Sequence, residues 1–113
     1  MRLPFVISTR LLFWAQGFCP CPWVIFVRPE RKGDAALLAH EKVHIEQMRR
    51  VGLIRFWLAY LFDDAFRFDS ELEAYRRQLE LDPGGLYRFA NGLATIYWLD
   101  ITYEEALLAL VEA

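Results

Sequence analysis

The longest uncharged run in the chain, "LLFWAQGFCPCPWVIFV" at residues 11–27, is broken by Gly17, Pro20 and Pro22. Proline fixes φ, lacks an N–H and clashes with the preceding turn, so this run cannot form one continuous helix, either in a core or across a bilayer. Its flanks therefore read as extended chain. "PFVIST" (residues 4–9) and "WVIFVR" (residues 23–28) are β-branched and aromatic segments bounded by proline, glycine and charge. "LLFWAQ" between them is ambiguous between strand and helical turn. Pro20, Pro22 and Pro29 predict that residues 23–28 form an edge strand rather than a central one. An edge of that kind can accept an extended peptide as a further strand.

Past Gly33 the pattern becomes helical. "DAALLAHEKVHIEQMRRVG" has clear ends: Asp34 is placed to cap it, Arg49 and Arg50 fall in its last turn, and Gly52 stops it. A second, strongly apolar helix is expected over residues 53–66. A third begins at Asp69 or Ser70 and halts at the "PGG" of residues 83–85. The tail reads as helix interrupted at Gly92, then as a last helix opened by a Thr102–Glu105 capping box. With 113 residues and neither a repeat nor a linker, the chain is expected to be one domain, residues 1–113. Its class is α+β, mainly helical, with a small N-terminal sheet or hairpin.

Charge excludes one class of partner. Lys and Arg total 13 against 15 Asp and Glu, a formal net of −2, and the basic residues are scattered. Nucleic-acid binding, which calls for a basic excess or stripe, is not expected. Hydrophobic residues make up 56% of the chain, high for so small a domain, and the surplus is expected in an oligomer or partner interface or a substrate groove ahead of a membrane surface. Arg10 breaks the apolar start and no small-residue cleavage site follows, so the expected compartment is the cytoplasm. Cys19 and Cys21 lack the usual two-residue metal spacing, and a disulfide between them would be badly strained. They read as small apolar residues in a turn.

Chemistry concentrates in "HEKVH". His40 and His44, the only two histidines, are separated by about 400° of helix rotation, so their imidazoles leave one face a turn apart. That spacing lets both bind one Zn²⁺, with Glu41 beside it as general base toward a water. A catalytic zinc needs a third protein ligand, and no third histidine exists. Gln47 and Arg50 stand where a longer histidine motif would place glycine and histidine. A carboxylate from "DSELEAY" must serve instead. Glu71 and Glu73 lie about 200° apart on a helix, so both cannot face one metal.

The pairing of H-E-x-x-H with a downstream Glu71-Leu72-Glu73-Ala74, continued by Tyr75, resembles the zincin metallopeptidases of the gluzincin type, especially small single-domain ones from bacteria or phages. The resemblance covers roughly residues 23–80. It implies a zincin-like fold, Zn²⁺ on His40, His44 and Glu71 with Glu73 in reserve, Glu41 as base, and a peptide or protein substrate. Tyr75, one turn beyond Glu71, can donate to the oxyanion of a tetrahedral intermediate or simply pack in the core.

Secondary expectations follow. Gln47 reads as a surface residue, with ligand hydrogen bonding as its other role. Asp63 and Asp64 read as caps before the third helix, with orientation of an imidazole as the alternative. Phe56, Trp57, Tyr60 and Phe62 read as core. Lys42 and Glu46 can both point outward from a half-buried helix. Their charge, with the small size and surplus apolar surface, supports a second reading: a non-catalytic binding or regulatory module with a structural or vestigial metal site.

Overall fold

The structure, a computed structural model, describes residues 4–12 and 14–112. Three short strands come first: β1 (Phe5–Ser8), β2 (Gly17–Cys21) and β3 (Val24–Val27). Five helices follow: α1 (Ala35–Val51), α2 (Leu53–Phe62), α3 (Asp64–Leu81), α4 (Leu86–Thr95) and α5 (Tyr103–Val111). The described part of residues 11–16 joins β1 to β2 as turn and bend, and Phe13 lies outside the described residues. The fold is thus a mixed α/β one, mainly helical.

The sheet order is β1-β3-β2, with β1 parallel and β2 antiparallel to β3. β3 is therefore the central strand, which corrects the expectation of an edge at residues 23–28. The proline rule was applied to the wrong strand. Pro22 and Pro29 flank β3 without entering it, while Pro20 sits inside β2, which is an edge. The missing N–H of Pro20 coincides with an irregularity in the β2–β3 register between Phe18 and Cys21.

α1 starts and stops as its residues dictate. The Asp34 carboxylate accepts from the Leu37 N–H at 3.0 Å, and Gly52 ends the helix at φ +100°, a conformation that favours glycine. The next boundary differs from expectation. α2 ends at Phe62, not at residue 66, because Asp63 turns extended and its side chain accepts from the Phe66 N–H at 3.2 Å. α3 thus begins at Asp64, five residues before Asp69. Asp63 is a cap, and Asp64 pairs with Arg67 rather than with an imidazole. Phe62, expected in the core, is 81% exposed, while Phe56 is fully buried.

α4 runs through Gly92 without interruption. A Cβ at that position would lie 2.7 Å from the Tyr75 hydroxyl, so the glycine permits close approach of α4 to α3. The Thr102–Glu105 capping box is present in full.

Two apolar cores result. One joins β2 and β3 to α1 and α2 around Ile25, Val27, Ile45, Met48 and Phe56. The other joins α3, α4 and α5 around Tyr75, Phe89, Leu93, Leu99 and Leu110. Between them, α1 packs on α3 through buried polar side chains: His40, Glu41, His44 and Gln47 from one helix, Ser70, Glu71 and Gln78 from the other. No helix among the described residues is long and apolar enough to cross a membrane. Ile54, Leu58, Leu61 and Phe62 leave an exposed apolar face on α2.

Candidate metal centre

His40 and His44 lie one turn apart on α1 and point at α3. Each presents Nε2 to the same carboxylate: His40 Nε2 is 3.2 Å and His44 Nε2 3.3 Å from Glu71 Oε1. All three side chains are buried, and their ligand atoms fall within 4.8 Å of one another. Two donors bound tetrahedrally at 2.0–2.1 Å from a zinc ion stand about 3.3 Å apart. The observed separations match that spacing.

The tautomers are fixed from outside. Gln47 Nε2 donates to the Ser70 carbonyl at 3.1 Å and to Glu73 Oε1 at 2.7 Å, groups that can only accept here. Its Oε1 therefore faces the other way, accepting from Ser70 Oγ at 2.6 Å and from His44 Nδ1–H at 2.9 Å. His40 Nδ1–H donates to Gln78 Oε1 at 2.9 Å. With both protons on Nδ1, both Nε2 lone pairs face Glu71. That is the pattern in which metal-binding histidines are held by outer hydrogen-bond partners. Tyr60 Oη–H donates to Glu71 Oε2, which also stands 3.3 Å from His44 Nε2, while Oε1 is within reach of both imidazoles.

Electrostatics point the same way. Three lone-pair donors turned inward in a buried space require a positive charge among them. Without an ion, a proton supplies it. Burial opposes charge on His44, but the adjacent Glu71 outweighs burial and raises the imidazole to about 9. Burial likewise pushes Glu71 up, yet His44 and His40 hold it well below the usual carboxylate range. The residues present therefore fit a divalent cation.

Glu41 differs from Glu71 in kind. It is buried, 3.9 Å from His40 Nε2, and among the described residues no hydrogen-bond donor reaches its carboxylate. Burial raises its proton affinity, with the imidazoles opposing and Glu71 adding to the shift. It faces two cavities, one on each side of the cluster. The more polar one, of about 240 Å³, is bordered by Gln16, Asp34, Gln78, Asn91 and Tyr97 as well as by apolar side chains. A smaller one of about 170 Å³ is walled by aromatic rings. Gly17 of the edge strand β2 borders both, and a Cβ there would lie 3.4 Å from Glu41 Oε2.

The remaining expected residues are placed as follows. Glu73 is not in the cluster; it accepts from Gln47 and stands 3.6 Å from Arg50 at the surface. Gln47, expected at the surface, is buried, because Ser70 and Glu73 of α3 close over it. Tyr75 is buried with its ring edge-on to His40 at 4.5 Å between centroids, and its hydroxyl bonds the Tyr97 hydroxyl at 2.9 Å. Burial and the charge of Glu71 push both phenols above their ordinary range. Lys42 and Glu46 are exposed.

The sequence places Tyr60 in the core and gives Gln78 no role, whereas both side chains bond the cluster. Gln78 falls one helical turn after Ala74 on the face of Glu71, and that spacing was the available signal. Cys19 is a free buried thiol, pushed up to about 12 by burial and by Glu41, and Cys21 is also free.

The donor set of two histidines and one carboxylate suits zinc and also ferrous iron. No family model, curated protein or solved structure matches the chain.

Proposed function

We propose that the chain is a zinc-dependent hydrolase of peptide bonds. The observation that carries this reading is the placement of two glutamates with different partners in one buried site. Glu71 is ionised and tied to both imidazoles, while Glu41 lies beside them with no hydrogen-bond donor and a raised proton affinity. An oxygen-activating iron site has no use for a free base at that position, whereas hydrolysis requires one.

His40, His44 and Glu71 would hold the ion. When bound, zinc supplies Lewis acidity toward a carbonyl and a water. Glu41 takes the proton of the attacking water and delivers it to the leaving amine. Burial raises its proton affinity, which favours accepting a proton from water. Tyr75 and Tyr97 carry two hydroxyl protons and use one between themselves. The other is available to a developing oxyanion. The outer edge of β2 passes Glu41 and can pair with an extended peptide, the role first expected of residues 23–28.

The test is direct. The purified protein should contain about one zinc per chain, and iron in its place would overturn the metal assignment. Glu41→Gln should retain zinc and lose cleavage of a peptide mixture, by the 10²–10⁴-fold typical of a general base. His44→Ala should lose both. The second reading, a zinc-holding binding module, draws on the exposed apolar face of α2. Stoichiometric zinc with no turnover on any peptide would select it.

A further inference from the structure

The aromatic cavity beside the cluster has a feature that packing alone does not require. Its mouth is lined by Trp98, 88% exposed, and Trp98 is the one non-glycine residue among those described with a positive φ, +53°. Bulky side chains rarely adopt that conformation, and it persists only where the surroundings impose it. They do so here from both sides. Arg67, buried on α3, donates through Nε to the Tyr97 carbonyl at 2.8 Å and through Nη1 to the Tyr60 carbonyl at 2.7 Å. The Tyr97 hydroxyl is tied to Tyr75, and Leu99 is buried in the second core. Trp98 is thus held out between two anchored neighbours, with its large ring in solvent at the edge of a cavity.

The other walls are Trp14, Phe18, Phe56 and Trp57, and the floor is the cluster itself, with His40, Glu41, His44 and Glu71. Trp57 is fixed by donating Nε1–H to the Pro20 carbonyl at 2.8 Å, and Phe18 packs against both Trp14 and Trp57. The volume of about 170 Å³ is close to the roughly 150 Å³ that admits a benzene-sized group. The cavity has room for one aromatic ring, not for an extended ligand.

We propose that this cavity is the side-chain subsite of the enzyme, taking a phenylalanine-like residue next to the peptide bond cleaved, with Trp98 as its outer wall and a determinant of specificity. The identification as a substrate subsite rests on the hydrolase reading above, but the selectivity of the cavity does not require metal or turnover. An apolar group there leaves no polar partner unsatisfied on the aromatic walls.

The experiment compares N-acetyl-phenylalanine methylamide with N-acetyl-alanine methylamide on the metal-free protein, followed by tryptophan fluorescence and by chemical-shift changes of the His40 and His44 rings. The phenylalanine probe should bind at least about tenfold tighter, within the range that apolar pockets achieve for differences of a few carbons. Trp98→Ala should reduce that ratio at least threefold, and Trp98→Phe should restore most of it. The side chain is exposed, so neither substitution removes core packing. Trp23→Ala, at an exposed position outside the cavity lining, should leave the ratio unchanged. Equal affinity for the two probes, or a ratio insensitive to Trp98→Ala, would overturn the proposal. Selective binding by a protein that also fails to take up added zinc would instead break the hydrolase reading while leaving the cavity's preference intact.

Discussion

The helix pair α1 and α3 has two polar faces, and they behave in opposite ways. On the inner face His40, His44, Gln47, Ser70, Glu71 and Gln78 are buried and bonded to one another across the two helices. On the outer face Lys42, Glu46, Asp69, Arg76, Arg77 and Glu80 border an open groove. The ion pairs along it are well solvated, whether within one helix, as between Arg77 and Glu80, or across the two, as between Arg50 and Glu73. The inner face is mostly neutral and polar, the outer one charged throughout. What separates them is that each inner group lacks water and must find its partner on the other helix. Removing one such group strands another, whereas removing an outer one exposes its neighbour to solvent.

The strongest way to break this contrast is Glu71→Ala. It deletes the one carboxylate among the described residues that bonds both imidazoles, and it leaves the Tyr60 hydroxyl without its acceptor. Zinc affinity, measured by competition with a chromophoric chelator, should fall by more than about 100-fold, beyond the 10–100-fold typical of outer hydrogen-bond partners. Saturating zinc at 100 times its dissociation constant should stabilise the unaltered protein by about 2.7 kcal/mol, and this variant by far less at the same concentration. Unchanged affinity would mean that the ion sits elsewhere.

A sharper probe is Gln47 against Glu73, which meet where the two faces join. Gln47→Leu keeps the bulk but takes the acceptor from His44 Nδ1–H and the donor from the Ser70 carbonyl. Zinc affinity should drop about 10–100-fold and the metal-free protein should lose roughly 1–3 kcal/mol in denaturant unfolding. Glu73→Ala removes one acceptor from Gln47 Nε2, which keeps its bond to Ser70. Its effect on affinity should be less than about tenfold. If Glu73→Ala proved the more damaging, the tautomer argument would fail.

The sequence made the inner face partly readable. The caps of α1, the four-residue spacing of the histidines and the position of Glu71 one face away from Glu73 are local properties, set by helix geometry and neighbouring residues. The partners of Gln47 and Tyr60 are not local. Gln47 looks like any helix-surface glutamine until Ser70, 23 residues later, arrives against it. Tyr60 sits in an apolar stripe with Phe56 and Trp57, and only the fold turns its hydroxyl to Glu71. The α2–α3 break was hidden for a related reason. The apolar pattern continues through Phe66, and only the capping bond of Asp63 shows that the chain has turned. The strand order was missed because prolines mark where pairing is interrupted, not which neighbour a strand finds.

The outer face gives the smallest expected effects and the most direct check on the idea that burial, rather than proximity in sequence, decides which polar residues matter. Lys42 and Glu46 flank the cluster within two residues of a histidine, closer in the chain than Glu71 or Gln78. Both are exposed, and no inner hydrogen bond ends on either. Lys42→Ala and Glu46→Ala each should change unfolding free energy by no more than about 0.5 kcal/mol, and zinc affinity by less than about threefold. The small electrostatic effects that remain should shrink as salt is raised from 0.05 M to 0.5 M, since screening acts on solvated charges and little on buried ones. A salt-independent loss of zinc in either variant would show that the outer charges reach the ion through the protein interior, and the division into two faces would not stand.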